Sequence, residues 1–267
     1  MPLIFITNDD GIHSPGLRAA AEAAAGLGDL LIAAPHIQQT GMSRSLAGGD
    51  DAGVIEETTI TVGGRPHPAY GVHASPALTV VYALFELAPR RPDLCISGIN
   101  YGENIGMTIA ASGTVGAALE ASACGVPALA VSRGAPLHLH RARQYGALDW
   151  SAAQAITTLL AERILRRGLP PEVAALNANV PDEATPQTEI RFTVQSRQAH
   201  VYYTRPAPRD FAAPFQLPLA STVNQTTLEP DSDIWAYLID RVISVSPLTG
   251  RLAAPVAPGD VARILNL

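Results

Sequence analysis

Polar and apolar positions follow two rhythms along the first two-thirds of the chain. Short apolar runs, "LIFIT" (3–7), "LLIAAP" (30–35), "PDLCIS" (92–97) and "ALAVS" (128–132), have the length and content of strands buried on both faces. Between them lie helix-like segments. One is Ala-rich, opened by Ser14 as cap and Pro15 as first residue, and closes near Gly28; "SPALTVVYALFELA" opens the same way at Ser75 and Pro76; a third runs from Thr114 to Ala123 and is stopped by Gly125 and Pro127. "VIEETTITV" and the segment through Tyr70 predict a hairpin around Gly63 and Gly64. "SAAQAITTLLAERILRRG" predicts a long helix with Ser151 and Gln154 as a capping box, two arginines in its last turn and Gly168 beyond it.

Strands alternating with helices predict an α/β fold, a mostly parallel Rossmann-like sheet with helices on both faces. After Pro181 the rhythm loosens into β-like runs, "EIRFTVQ" and "HVYYT", between Pro-rich loops, before "DSDIWAYLID" and "VISVSPL" suggest a short helix and a returning strand. The expected organisation is a core over 1–180, an extended β-hairpin arm over 181–230, and a segment over 231–267 that returns to the core.

Composition narrows the chemistry. All 18 positive side chains are Arg, so a Walker A lysine, a Schiff-base lysine and a lysine general base are excluded. A net charge of −6 without a basic cluster argues against polymeric DNA as a partner. "MPLIFIT" is too short for a signal segment and no stretch reaches the length of a membrane span, so a cytoplasmic protein with two reduced thiols, Cys95 and Cys124, is expected.

In open parallel sheets, ligands bind beyond the carboxyl ends of the strands. Three loops lie there: "NDDG" (8–11), "QQTGMS" (38–43), and "SGINYGENIG" (97–106) running into "ASGTVG" (111–116). Asp9 and Asp10 cannot both stay ionised at close range without compensation; a divalent cation and an Asp-Gly turn are equally good readings of the pair alone. Asn100 and the Thr40 hydroxyl would complete an all-oxygen set suited to Mg²⁺, Mn²⁺ or Ca²⁺. Ser112, Gly113 and Thr114 open a helix, where either an anion site or a plain cap fits. His138 and His140 in "LHLH" read as surface histidines rather than a zinc site, and His13 and His36 lie in the candidate loops. No G-x-S-x-G or G-x-G-x-x-G is present.

The motifs "ITNDDGIHSPGL", "AAP" with a hydroxyl residue a few places on, "SGINYGENIG", "SGTVGAALE", "GVPALAVS", "LNANVP", "DSDIWAYL" and "VISVSPL" stand in the order seen in the SurE family, and the chain resembles that family over about Leu3 to Leu248. The resemblance implies a metal-dependent 5'/3'-nucleotidase that is a homo-dimer or homo-tetramer through exchanged arms. It implies one Mg²⁺ or Mn²⁺ per subunit on Asp9, Asp10, Thr40 and Asn100. Nucleoside monophosphates are the expected substrates and polyphosphate a further candidate, with Asn8, Asn104, Ser112, Gly113 and Thr114 around the phosphate and Asp9 and Asp10 as catalytic groups. Thr40 stands where serine is usual, and "LIDRV" replaces a customary glycine and aromatic. A haloacid-dehalogenase-like phosphatase with a covalent aspartate would want a D-x-D spacing and a lysine, which are missing; a non-catalytic nucleotide sensor is the other alternative.

Overall fold

The structure is a computed structural model that describes residues 1–136, 139–140, 145 and 147–251. The four apolar runs form β1 (Leu3–Thr7), β2 (Asp29–Pro35), β5 (Leu94–Tyr101) and β6 (Ala128–Arg133), and the predicted hairpin forms β3 (Ile55–Val62) and β4 (Arg65–Val72). With β7 (Ala175–Val180), β8 (Ile190–Phe192) and β11 (Ile243–Leu248) they make a nine-stranded sheet of order β3-β4-β2-β1-β5-β6-β7-β11-β8. Strands β4, β2, β1, β5, β6 and β7 are parallel to their neighbours; β3 runs against β4, and β11 against β7. Chain order reverses direction between β1 and β5, the topological switch point at which ligands gather in such sheets.

Helices cover both faces. Helix α1 (Pro15–Ala24) and α4 (Ser151–Arg167) pack on one face through Leu17, Ile156 and Leu160; α2 (Pro76–Tyr82), continued by a π-helical turn over Ala83–Leu87, and α3 (Gly113–Ala123) cover the other through Val80, Val115 and Ala118. Ser14 caps α1 by accepting from Gly16 N–H, and Ser75 caps α2 by accepting from Leu78 N–H, each followed by proline as expected. The capping box expected at α4 is not formed. Trp150 is the cap position and contributes no side-chain bond, the Ser151 N–H donates to Asp149 Oδ1, and Gln154 Nε2 reaches across to Glu22 and the Ala19 carbonyl of α1. A helix–helix contact has taken the residue that the local signal assigned to the cap.

Beyond β7 the first β-like run joins the central sheet as β8, beside β11. The rest of the 181–230 segment carries a two-stranded antiparallel pair, β9 (Val201–Tyr203) and β10 (Leu219–Ser221). "DSDIWAYLID" forms a π-helical turn over Trp235–Ile239, whose neighbours Ile234 and Tyr237 pack with Ile105 and Leu228 in a small core of their own. Among the described residues no helix is long and apolar enough to cross a membrane.

Candidate active site

The carboxyl end of β1 turns sharply at Gly11, whose φ of +101° suits glycine. Asn8 closes this turn, its Oδ1 accepting from the Gly11 N–H and its Nδ2 donating to the Gly11 carbonyl. Both polar ends of Asn8 therefore serve the turn, although the sequence had set it against the phosphate. The turn drives Asp9 and Asp10 inward, to 2% and 1% exposure.

Asp9 meets the amino end of α3. Its Oδ1 accepts from Thr114 Oγ1 at 2.6 Å, and the Gly113 and Thr114 N–H groups turn toward the same carboxylate. Gly113 has to be glycine here: a Cβ would lie 2.8 Å from both Asp9 Cβ and Asp9 Oδ2. Burial pushes Asp9 up to about 6 despite these bonds. Asp10 accepts from the Tyr101 N–H at 3.2 Å and from the Gln38 side chain, while Tyr145 OH donates to its carbonyl at 2.7 Å. Burial and the Asp9 charge hold Asp10 well above the usual carboxylate range. Tyr101 lies against Tyr145 and, edge-on, Trp150, which shields this side from water.

The other sequence candidates arrive from neighbouring loops. Gln39 N–H donates to the Asp9 carbonyl at 2.7 Å, which brings the β2 loop against β1. Thr40 Oγ1 donates to the His140 carbonyl at 3.2 Å, leaving its lone pairs as acceptors. Asn100 donates its amide to the Gly102 carbonyl at 2.7 Å, which leaves Oδ1 as its acceptor atom. Ser112 caps α3 by accepting from Val115 N–H. Asn104 is a hub: its Nδ2 donates to Ser132 Oγ, its N–H to Asn179 Oδ1, and its carbonyl accepts from both Asn177 and Asn179. Of the histidines, His13 is exposed, His36 stacks on His73, His140 lies over Gly102, and His138 falls outside the described residues.

Gln38, Tyr145, Asn177 and Asn179 are site-building residues that the motifs missed. The two asparagines lie in the quoted "LNANVP", where polar residues at alternate positions of a buried strand were the available signal.

The all-oxygen donors fit a hard divalent cation. Among the described residues no Arg or His pairs with Asp9 or Asp10, and two adjacent buried carboxylates without a counter-charge are costly unless protonated or bound to a cation. His36, Asp51 and His73 form a second group able to hold a metal ion, their ligand atoms within 4.8 Å of one another.

The family model described as survival protein SurE matches residues 4–202. The chain is 33% identical to the 5'-nucleotidase SurE of Methanosarcina mazei, covering 99% of this chain and 98% of that one, and 34% identical to its namesake from Thermococcus kodakarensis, covering 98% of each. The crystal structure of the SurE protein from Aquifex aeolicus superposes with a TM-score of 0.74 at 25% identity, covering 99% of this chain and all of that one. Motif order and fold thus agree with the comparisons: the chain belongs to the SurE family.

Proposed function

We infer that this protein is a nucleotidase, a phosphoric monoester hydrolase that converts nucleoside 5'- or 3'-monophosphates to nucleoside and phosphate. Its family membership and the 5'-nucleotidase names of its relatives support that class of reaction. The observation that carries the chemistry is the buried Asp9–Asp10 pair at the switch point, with no cationic side chain against it among the described residues. Asp9, Asp10, Asn100 and Thr40 would hold one divalent cation per subunit, Mg²⁺ or Mn²⁺ by ligand type. When bound, the cation supplies the positive charge that a lysine-free site otherwise lacks and polarises the ester phosphate.

The chain's own groups do the positioning. Thr114 fixes one Asp9 oxygen, so the carboxylate has one orientation relative to α3. Ser112, Gly113 and Thr114 offer a phosphate the positive end of a helix, which it would share with Asp9; charge compensation between the two anions is then a requirement. Asn104 ties the β5 loop to β6 and β7, and Tyr101, next to Asn100, donates its N–H to Asp10, which supports Asn100 as a ligand. Asp9, whose carboxylate Thr114 holds in one orientation, is the group proposed to take a proton from the attacking water.

Polyphosphate as a second substrate, a cytoplasmic location and a homo-oligomer built through the arm belong to the same proposal. The thiols Cys95 and Cys124 are free, as a reducing compartment favours. Phe192, Val194, Tyr203 and Phe211 are half or more exposed on the arm side, apolar surface of the kind that assembly covers. The deciding experiment is hydrolysis of AMP and of p-nitrophenyl phosphate with Mn²⁺ and with chelator. Turnover should require the metal and fall about a hundredfold or more in Asp10→Asn. Full turnover by metal-stripped protein would sink the reading, and a trapped phosphoenzyme would favour the covalent-aspartate alternative.

A further inference from the structure

A buried acid on α3 takes no part in the chemistry above. Glu120 stands about two turns along the helix from Gly113, only 7% exposed, and its Oε2 accepts from Arg44 Nε at 2.6 Å. Among the described residues Arg44 is the only cationic side chain paired with it. That partner comes from the loop after β2, the same loop that carries Thr40. The contact is the last of a row. Ser43 donates its N–H to the Ala111 carbonyl at 3.1 Å and its Oγ to the Ala110 carbonyl at 2.8 Å, in the turn that leads into α3. To do so it takes a φ of +55°, a left-handed conformation that residues other than glycine seldom adopt. Its carbonyl then fills the place of a side chain at position 116: a Cβ on Gly116 would stand 2.0 Å from Ser43 O and 2.8 Å from Arg44 N. Gly116 and Glu120 are a helical i, i+4 pair and share one face of α3. The loop is thus laid along the helix, on backbone contacts at one end and on an ion pair at the other.

The same helix is the mount of Asp9, whose Oδ1 accepts from Thr114 Oγ1. Between that contact and Arg44 the loop presents Gln39, with its N–H on the Asp9 carbonyl, and Thr40, whose hydroxyl donates to the His140 carbonyl. One helix therefore fixes both Asp9 and the loop that carries Thr40, and the spacing of the two depends on the loop staying down on α3. Glu120 makes that docking sensitive to charge. A buried carboxylate that loses its cation is strongly unfavourable, and water entering beside it separates the loop from the helix.

We propose that the Arg44–Glu120 pair is a latch that positions Thr40 for the divalent cation, so that Arg44 and Glu120 are positioning residues and neither touches the cation or the substrate. The proposal rests on the reading in which Thr40 is a ligand of that cation.

Calorimetric titration with Mn²⁺, which needs no turnover, tests it. Arg44→Ala should raise the Kd for Mn²⁺ about tenfold or more, as loss of a group that orients a metal ligand does. Arg44→Ala/Glu120→Ala, in which no charge is stranded, should fold even where Arg44→Ala does not, and should show a similar loss rather than the product of two. Arg44→Lys keeps a cation against the carboxylate and should stay close to the wild-type Kd. Thr40→Val supplies the sharpest comparison: if the latch acts through Thr40, adding Arg44→Ala to it changes the Kd no further. A wild-type Kd in Arg44→Ala/Glu120→Ala overturns the latch, as does a full additional loss on the Thr40→Val background or a wild type that binds no Mn²⁺. So does a KM for AMP that rises in Arg44→Ala and not in Glu120→Ala while Mn²⁺ affinity is unchanged, which would make Arg44 a substrate contact. Mn²⁺ binding with the expected losses in a protein that hydrolyses no phosphomonoester would remove the enzymatic reading and leave the latch standing. Normal hydrolysis with Kd values unmoved by these variants would remove the latch alone.

Discussion

The chemistry of the site turns on two small residues. Thr40 donates its proton to the His140 carbonyl, an arrangement that presents oxygen lone pairs and needs only a hydroxyl at that place. Thr40→Ser should therefore be nearly silent, whereas the near-isosteric Thr40→Val should raise the Mn²⁺ concentration for half-maximal activity without unfolding the protein. An unchanged value in Thr40→Val would take Thr40 out of the ligand set. Gly113 acts by what it lacks. A methyl group there would push against Asp9 Cβ and Oδ2, both only 2.8 Å away, and the carboxylate cannot retreat because Thr114 holds its other oxygen. Gly113→Ala should lower kcat by about a hundredfold, as misplacing a reacting group by about an ångström does, while a far-ultraviolet spectrum stays that of the folded protein. Wild-type turnover in Gly113→Ala would mean that the carboxylate's place is not critical.

At the scale of elements, the β5 loop is clamped from the arm side. Both Glu103 oxygens are bonded, one to His200 Nε2 at 2.8 Å and one to Tyr237 OH at 3.2 Å, and Asp233 accepts from the Gly106, Ser196 and Ile234 N–H groups. Burial alone would raise Glu103, but the His200 bond and charge outweigh it and hold the carboxyl below its ordinary 4.5. A depressed acid contributes stability above its unfolded value and loses it as pH falls through the folded one, so this clamp is intact at neutral pH and fails in acid. His200→Ala should cost about 3 kcal/mol in urea unfolding at neutral pH, because it strands a buried charge, and the cost should shrink below about pH 4. A cost independent of pH would assign it to packing instead. None of this clamp was legible in the motifs, although most elements were. Ser-Pro starts, apolar runs and the Gly63–Gly64 turn are local signals that the backbone obeys wherever it sits. Asp9, Asp10 and Asn100 were legible for the same reason, being at strand ends. Gln38, Tyr145 and the Asn177–Asn179 pair became site residues only because sheet register brought residues far apart in sequence together. The failed cap at Ser151 and Gln154 has the same cause, a tertiary partner on α1.

For the whole molecule, the site is a source of instability that its ligand should remove. Asp9 stands near 6 in the folded cation-free protein against 3.8 as its ordinary value, so between those values the folded state keeps a proton that the unfolded chain has lost. Stability of the metal-free protein should therefore fall as pH rises through that window, and Asp10, also held above its ordinary range, extends the fall. Cation binding needs the ionised form, so the gain in Tm from Mn²⁺ should be small near pH 4 and grow toward about pH 7. A gain independent of pH would place the bound metal away from Asp9 and Asp10. The clamp adds a consequence for inheritance. His200 lies in the segment that carries the arm, and its partner Glu103 lies in the β5 loop. If arms are exchanged in the assembly, the clamp made here within one chain is made instead by a neighbour, and two defective alleles can repair one another. In a mixed dimer of Glu103→Gln and His200→Ala chains, the His200→Ala chain keeps its own Glu103 and receives the partner subunit's His200, which makes one wild-type clamp. Co-refolded mixtures should then show a fraction that unfolds at higher urea than either parent, whereas arms folded back on their own chains would leave only the two parental transitions.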